Sequence, residues 1–124
     1  MWCGFTSITI PDGVTSIGEH TFANCPNLTS ITIPDSVTSI GDLAFANCEK
    51  LTDVTIPNGV ESIGRTVFCY CGNLKSIAIP DSVKSISAGA FSWCKNLEAV
   101  SLPRGVKVAD DAFEGCPKVK ITYR

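Results

Sequence analysis

The apolar positions of this 124-residue chain recur with a period of 23 residues. Each repeat opens on an apolar residue, usually leucine, and the repeats start at Phe5, Leu28, Leu51, Leu74 and Leu97. Positions 4 and 6 of each repeat are apolar and mostly β-branched, while position 5 is short and mostly polar, which is the alternation of a half-buried strand. One short strand is therefore predicted near the start of every repeat.

Each predicted strand ends at a proline. Position 7 is proline in all five repeats, and proline has no N–H with which to continue a strand ladder. A turn follows, and the apolar residues at positions 10 and 13 predict a second short strand on the opposite wall. Alanine and phenylalanine at positions 17 and 18, with cysteine at position 21, predict a single helical or 3₁₀ turn whose phenylalanine fills the core. These phenylalanines are Phe22, Phe45, Phe68, Phe91 and Phe113.

A single repeat cannot bury its own apolar side chains, but copies stacked at the strand spacing of about 4.8 Å share one continuous core. The sequence therefore predicts one solenoid domain over residues 1–124, β-rich, with a parallel sheet, short second strands and single helical or 3₁₀ turns. The five repeats span residues 5–27, 28–50, 51–73, 74–96 and 97–118, and a stub follows at 119–124.

Charge and hydropathy exclude some classes of partner. The formal net charge is −2, which gives no basic surface of the kind that nucleic acid requires. Polar residues interrupt every apolar stretch, so no transmembrane segment is predicted. The charge is uneven along the chain, because residues 1–64 carry seven acids and one base whereas residues 65–124 carry nine bases and five acids. Head-to-tail association of copies is one consequence of this dipole, and ordinary repeat divergence is the other explanation.

Five of the seven cysteines occupy the same repeat position and predict an inward column of reduced thiols. They are Cys25, Cys48, Cys71, Cys94 and Cys116. Cys3 and Cys69 break this pattern, and Cys69 is predicted to lie near the surface as the candidate reactive thiol. The only histidine, His20, is two repeats from Cys69 and Cys71, so no zinc site is predicted. Nor does the chain contain a phosphate-binding loop or a catalytic triad, so neither a cofactor nor an enzymatic activity is predicted.

Two surfaces are candidates for protein binding. The outward strand positions carry mostly short hydroxyl side chains, and the candidates there are Ser30, Thr32, Asp53, Thr55 and Ser76. Strand propensity explains the same residues equally well. Position 20 places Tyr70 and Trp93 on neighbouring repeats, and exposed aromatics of this kind dominate interaction hot spots. Local packing over a thin core is the alternative explanation for the aromatic pair.

Three blocks recur from residue 5 to residue 118: Leu-x-x-Ile-x-Ile-Pro, Val-x-x-Ile-Gly and Ala-Phe-x-x-Cys. In these blocks the chain resembles leucine-rich repeats of the BspA-like type, which occur in bacterial and protozoan surface proteins. The resemblance implies a curved solenoid at the cell surface or outside the cell, with a role in adhesion or in binding a host or matrix protein. Ser87 and Ala109 depart from the pattern, because they replace its glycine.

The function predicted from these observations is a non-enzymatic protein-interaction or adhesion module. One alternative is a structural spacer, or a segment of a longer repeat protein that self-associates through uncapped ends. A second alternative is an intracellular regulator that binds a single client. The start of the chain shows no secretory signal, so a cytoplasmic location stays open beside the surface location that the resemblance implies.

Overall fold

Short parallel strands form two walls of a solenoid in residues 5–124, the part of the chain that the computed structural model describes. Cys3 lies outside this part. The prediction that the start of the chain shows no secretory signal also concerns residues outside it. The strands of the first wall are Ser7–Thr9 (β1), Ser30–Thr32 (β3), Asp53–Thr55 (β5), Ser76–Ala78 (β7), Ala99–Leu102 (β9) and Lys120–Tyr123 (β11). Those of the second wall are Ser16–Ile17 (β2), Ser39–Ile40 (β4), Ser62–Ile63 (β6), Ser85–Ile86 (β8) and Lys107–Val108 (β10).

All strand pairs are parallel, and each residue pairs with the equivalent residue of the next coil. Ile8 pairs with Ile31 and Ile31 with Val54, so the register is one repeat of 23 residues. The second wall is one five-stranded sheet, in the order β10-β8-β6-β4-β2. The predicted repeat solenoid with parallel strands and short second strands is therefore confirmed.

The first wall is divided into two three-stranded sheets. One has the order β1-β3-β5 and the other β11-β9-β7, so within residues 5–124 no ladder joins β5 to β7. The division coincides with a change in surface chemistry: repeat position 2 carries Thr6, Thr29 and Thr52 in the first half but Lys75, Glu98 and Lys120 in the second.

The predicted helical or 3₁₀ turn is wrong: this segment consists of successive hydrogen-bonded turns. Thr21 N–H donates to the Gly18 carbonyl at 3.3 Å, whereas the next N–H, from Phe22, donates to the Ala44 carbonyl of the neighbouring coil at 2.8 Å. His20, which precedes Thr21, has a positive φ of 62°, which a right-handed helix does not allow. Alternate N–H groups therefore bond between coils and hold the stack together.

The core consists of columns in which equivalent side chains stack from coil to coil. Phe45, Phe68 and Phe91 are fully buried, and their rings stack almost parallel with centroids 5.4 Å and 5.3 Å apart. Burying a side chain of this size contributes about 1.5–3 kcal/mol to folding. A second column, of leucines, runs beside the rings and contains Leu28, Leu51, Leu74 and Leu97, all fully buried. Each coil thus depends on its neighbours for burial.

Candidate functional site

Position 20 of the repeat has a left-handed backbone in every coil. The φ angles are 60° at Asn24, 61° at Asn47, 60° at Tyr70, 62° at Trp93 and 76° at Gly115. Asparagine and glycine adopt this conformation readily, whereas bulky aromatic residues rarely do. The coil geometry therefore suits three of these residues and strains Tyr70 and Trp93.

The same backbone geometry sets the spacing of the two aromatic side chains. Tyr70 N–H donates to the Ser92 carbonyl at 2.9 Å, and Trp93 N–H donates to the Glu114 carbonyl at 2.7 Å, so each position is fixed to the coil that follows. The rings stack with centroids 6.3 Å apart and planes 12° from parallel. Tyr70 is 52% exposed and Trp93 45% exposed. We call this pair the aromatic ridge.

Gly115 completes the ridge on the side away from Tyr70. A methyl group built on Gly115 would lie 2.6 Å from Cδ2 of Trp93 and in contact with Cε3, which is too close for any side chain at this position. The Gly115 backbone therefore lies against part of one face of the indole, and the Tyr70 ring lies on the other side. Trp93, which is 45% exposed, presents its ring edge and the uncovered parts of its faces to solvent.

Burial of the side chains does not offset the backbone strain at the ridge. Leu43 also has a positive φ, of 61°, but its side chain packs against a small buried cluster of Ala23, Ala46 and Cys69. Tyr70 and Trp93 remain about half exposed, although asparagine occupies the same position without strain in two other coils. Strained residues that are not needed for packing are candidates for function.

A groove with lysines on its rim runs beside the ridge. Its volume is about 440 Å³, and its lining includes Tyr70, Trp93, Lys50, Lys95 and one carboxylate, Glu49. We call it the basic groove. On the other side of Trp93 lies a second groove of about 490 Å³, which Lys95 also lines.

Hydrogen bonds between coils order the floor of the basic groove. The Asn96 side-chain amide donates to the Gly72 carbonyl at 2.8 Å. Its oxygen accepts a hydrogen bond from Lys118 Nζ at 3.2 Å, which holds a third lysine near the groove. The lysines and the ridge thus occupy one region of the surface, spread over coils 2 to 5.

The second candidate surface is formed only in part. Ser30 lies opposite Asp53, and Thr32 opposite Thr55, in the β3–β5 pairing. Ser76 is on β7, in the other three-stranded sheet, where it pairs with Ala99. Ser30 is half-buried and the other four are exposed. The structure therefore brings Ser30, Thr32, Asp53 and Thr55 together as a hydroxyl-rich patch and leaves Ser76 outside that sheet.

The prediction that Cys69 lies near the surface is wrong. Cys69 is 7% exposed and packs with Ala23, Ala46 and Leu43. Burial raises the pKa of its thiol, which lowers the fraction of reactive thiolate at neutral pH. The small residues at this repeat position face inward, so the thiol takes the place of an alanine methyl group.

The five other thiols of the described residues form the predicted inward column. The Sγ–H groups of Cys48, Cys71, Cys94 and Cys116 donate to phenylalanine carbonyls, as in Cys71 to Phe45 at 3.3 Å and Cys94 to Phe68 at 3.0 Å. Burial raises the pKa of Cys71. Interaction with the neighbouring Cys116 thiol, together with burial, raises the pKa of Cys94, and the same interaction lowers that of Cys116 to about 7. The thiols therefore have a structural role in the core, with Cys116 the most acidic of this pair.

Residues 5–124 were also compared with the requirements of a metal site and of a membrane-spanning helix. No group of three or more His, Cys, Asp or Glu side chains in this part of the chain is arranged to hold a metal ion. His20, the only histidine, is exposed and lies 3.4 Å from the Glu19 carboxylate. The same residues include no helix with the length and apolar character needed to cross a membrane.

The left-handed backbone at position 20 and the role of Gly115 were not predicted from the sequence. A signal was present, because asparagine and glycine at one repeat position indicate positive φ. Lys95 was also missed as part of the site. It stands two residues after Trp93, and only the turn geometry brings it to the grooves on both sides of the indole.

Comparison with known proteins agrees with the fold. The family model for BspA type leucine rich repeat regions matches residues 1–120 in six copies. A leucine rich cell surface protein from Faecalibacterium prausnitzii is 38% identical with a TM-score of 0.93, and the match covers 97% of this chain and 32% of that one. A leucine-rich repeat protein from Bacteroides ovatus is also 38% identical, with a TM-score of 0.88 and coverage of 95% and 33%.

A third solved structure is the pneumococcal vaccine antigen PcpA, which is 28% identical with a TM-score of 0.86 and is matched over 96% of this chain and 30% of its own. The present chain thus spans about a third of the length of these three proteins. No curated protein sequence matches the chain.

Proposed function

We propose, from the premise that this chain belongs to the BspA-type leucine-rich-repeat family, that it binds a partner protein through the aromatic ridge and catalyses no reaction. The observation that carries the proposal is the strained, exposed and stacked pair of Tyr70 and Trp93. Amphipathic aromatics that are already fixed by neighbouring coils lose little conformational entropy on binding.

The family context supports a location at the cell surface and a role in adhesion. One similar structure is described as a leucine rich cell surface protein and another as a pneumococcal vaccine antigen. We propose the same location for this chain, with a host or matrix protein as its partner. The hydroxyl-rich patch is the competing binding surface, and its short side chains offer hydrogen bonds but no apolar anchor.

The test is a pull-down with the immobilised, reduced chain against matrix extract and cell lysate, read by mass spectrometry. The variant Tyr70→Asn/Trp93→Asn removes the ridge and installs the residue that coils 1 and 2 carry at this position. The matched control, Thr32→Ala/Thr55→Ala, changes two exposed residues of the hydroxyl-rich patch. We expect the ridge variant to lose a matrix protein that the control variant retains.

Other outcomes favour the other functions. A partner lost only with the control variant would place binding on the hydroxyl-rich patch, and a single cytosolic partner would favour the intracellular regulator. The spacer function has one supporting observation, which is that the chain spans only about a third of the similar surface proteins. Recovery of the chain alone, with no other protein, would favour this spacer function and count against the ridge.

A further inference from the structure

The ring edge of Trp93 is exposed, and this influences what it binds. Both indole faces are partly covered, one by Tyr70 at a centroid distance of 6.3 Å and the other by the Gly115 backbone. The edge of an aromatic ring carries partial positive charge and its face carries partial negative charge. The edge therefore attracts the face of a partner's aromatic ring, and also oxygen acceptors such as carboxylates.

The charges beside the ridge have the same sign as this edge. Lys50 and Lys95 outnumber the single carboxylate in the lining of the basic groove, and Lys118 is held nearby through Asn96. Lys95 lines both grooves, so its ammonium group is within reach of a ligand on either side of the indole. A partner with carboxylates is complementary to this surface.

A third groove, which includes Ser92 and Glu114 beside the ridge, has the opposite charge. It holds about 400 Å³ and is lined by the carboxylates of Asp42, Asp111 and Glu114 and by one base, Arg65. Its Asp42 and Arg65 pair with each other at 3.6 Å. The basic character is therefore confined to the grooves that Lys50 and Lys95 line, and the solenoid as a whole has a formal net charge of −2.

The two grooves beside Trp93 lie on successive coils, which favours an extended ligand. Coils are separated by about 4.8 Å, and an extended chain advances about 3.3 Å per residue, so a few residues of a peptide span both grooves. The groove volumes of about 440 and 490 Å³ accommodate side chains on either side of the indole.

We infer that the ridge and the basic groove together bind an extended acidic segment of a partner protein, with an aromatic side chain of that segment packed against the edges of Tyr70 and Trp93. This inference rests on the proposed function and adds the chemical class of the ligand. The carboxylates of the segment pair with Lys95 and Lys50, and the aromatic side chain is the apolar anchor.

The experiment selects ligands from a random peptide library displayed on phage, with immobilised reduced wild-type chain. The peptides recovered are synthesised, and their affinities are measured for wild type, Trp93→Asn, Lys95→Glu and Lys84→Glu. Lys84 is exposed beside the second wall, so its replacement makes the same charge change away from the ridge. We expect acidic peptides that contain an aromatic residue, with affinity reduced about tenfold or more by Trp93→Asn and by Lys95→Glu and unchanged by Lys84→Glu.

The remaining outcomes separate this inference from the proposed function. Neutral or basic peptides that still require Trp93 would overturn the acidic ligand and leave the ridge as the binding surface. A sulfated oligosaccharide, tested as a second probe, would overturn the inference if it bound in a Trp93-dependent way while the acidic peptides did not. Recovery of no peptide would overturn it too. Acidic peptides bound equally well by Trp93→Asn would overturn both proposals.

Discussion

Replacing Gly115 with alanine tests whether the ridge is built as described. The substitution has two separable costs. The first is the backbone conformation, because φ is 76° at this position and an L-residue in the left-handed region loses roughly 1–2 kcal/mol. The second is the collision with Trp93, since the new methyl group would lie 2.6 Å from Cδ2.

The collision forces the indole to move or the backbone to shift. Overpacking of this kind costs about 1–3 kcal/mol, and displacement of Trp93 also weakens its stacking with Tyr70, which contributes about 0.5–1.5 kcal/mol. In the wild-type background we therefore expect Gly115→Ala to lower the free energy of unfolding by about 2.5–6.5 kcal/mol, the sum of the three costs. In a Trp93→Asn background only the backbone cost of about 1–2 kcal/mol remains.

The assay is urea unfolding of four proteins: wild type, Gly115→Ala, Trp93→Asn and the double variant. The coupling energy between the two sites is the difference between the cost of Gly115→Ala in the two backgrounds. We expect the single variant Trp93→Asn to unfold within about 1 kcal/mol of wild type, because relief of left-handed strain offsets the lost stacking. Equal costs of Gly115→Ala in both backgrounds would refute the packing of Trp93 on Gly115.

Three further predictions address packing and hydrogen bonding within the stack. Phe68→Ala should lower the free energy of unfolding in urea by about 3–5 kcal/mol. Phe113→Ala should lower it by less, because Phe113 is only half-buried; equal losses would contradict the stacked column. Iodoacetamide at pH 8, followed by peptide mass spectrometry, should modify Cys116 before Cys69. The two thiols are equally buried, but the pKa of Cys116 is lowered to about 7 whereas burial raises that of Cys69; the reverse order would refute this difference in pKa. Asn47→Ala should lower the free energy of unfolding by about 1 kcal/mol, because it removes the 2.8 Å hydrogen bond to Asn24 and a residue suited to positive φ. An unchanged midpoint of urea unfolding would argue against both effects.

The 23-residue period was sufficient to predict the fold. Apolar periodicity determines which side chains face inward, and equivalent residues of stacked coils must then lie above one another. The columns of phenylalanine and cysteine follow directly from this rule, and both are present. The two walls follow as well, because proline at position 7 ends one strand and the apolar residues at positions 10 and 13 begin the next.

Local turn geometry was not predictable in the same way. Alanine followed by phenylalanine favours a helical turn in isolation, but the N–H groups of Phe22 and Phe45 donate to carbonyls of the next coil. Tertiary hydrogen bonding thus overrides local propensity. The division of the first wall between β5 and β7 also has no signature in the apolar pattern, since Val54 and Ile77 continue it without interruption.

The candidate site was predicted in part. The shared repeat position was sufficient to place Tyr70 and Trp93 side by side, but not to show that Gly115 covers part of one indole face or that Lys95 lines both grooves. Cys69 was misplaced because the equivalent residues of the other coils, Ala23, Ala46, Ser92 and Glu114, vary in polarity and suggested a position near the surface. The alanines at this position in the first two coils were the better indication.

The central claim is that the ridge is the surface buried by the partner. The most direct measurement is the ¹H–¹⁵N NMR spectrum of the labelled, reduced chain, recorded with and without an acidic peptide selected for binding. The account predicts that the backbone amides of Tyr70 and Trp93 and the indole N–H of Trp93 shift, while those of Thr32 and Thr55 do not. Shifts confined to Thr32, Thr55 and their neighbours would contradict it, because they would place the partner on the hydroxyl-rich patch.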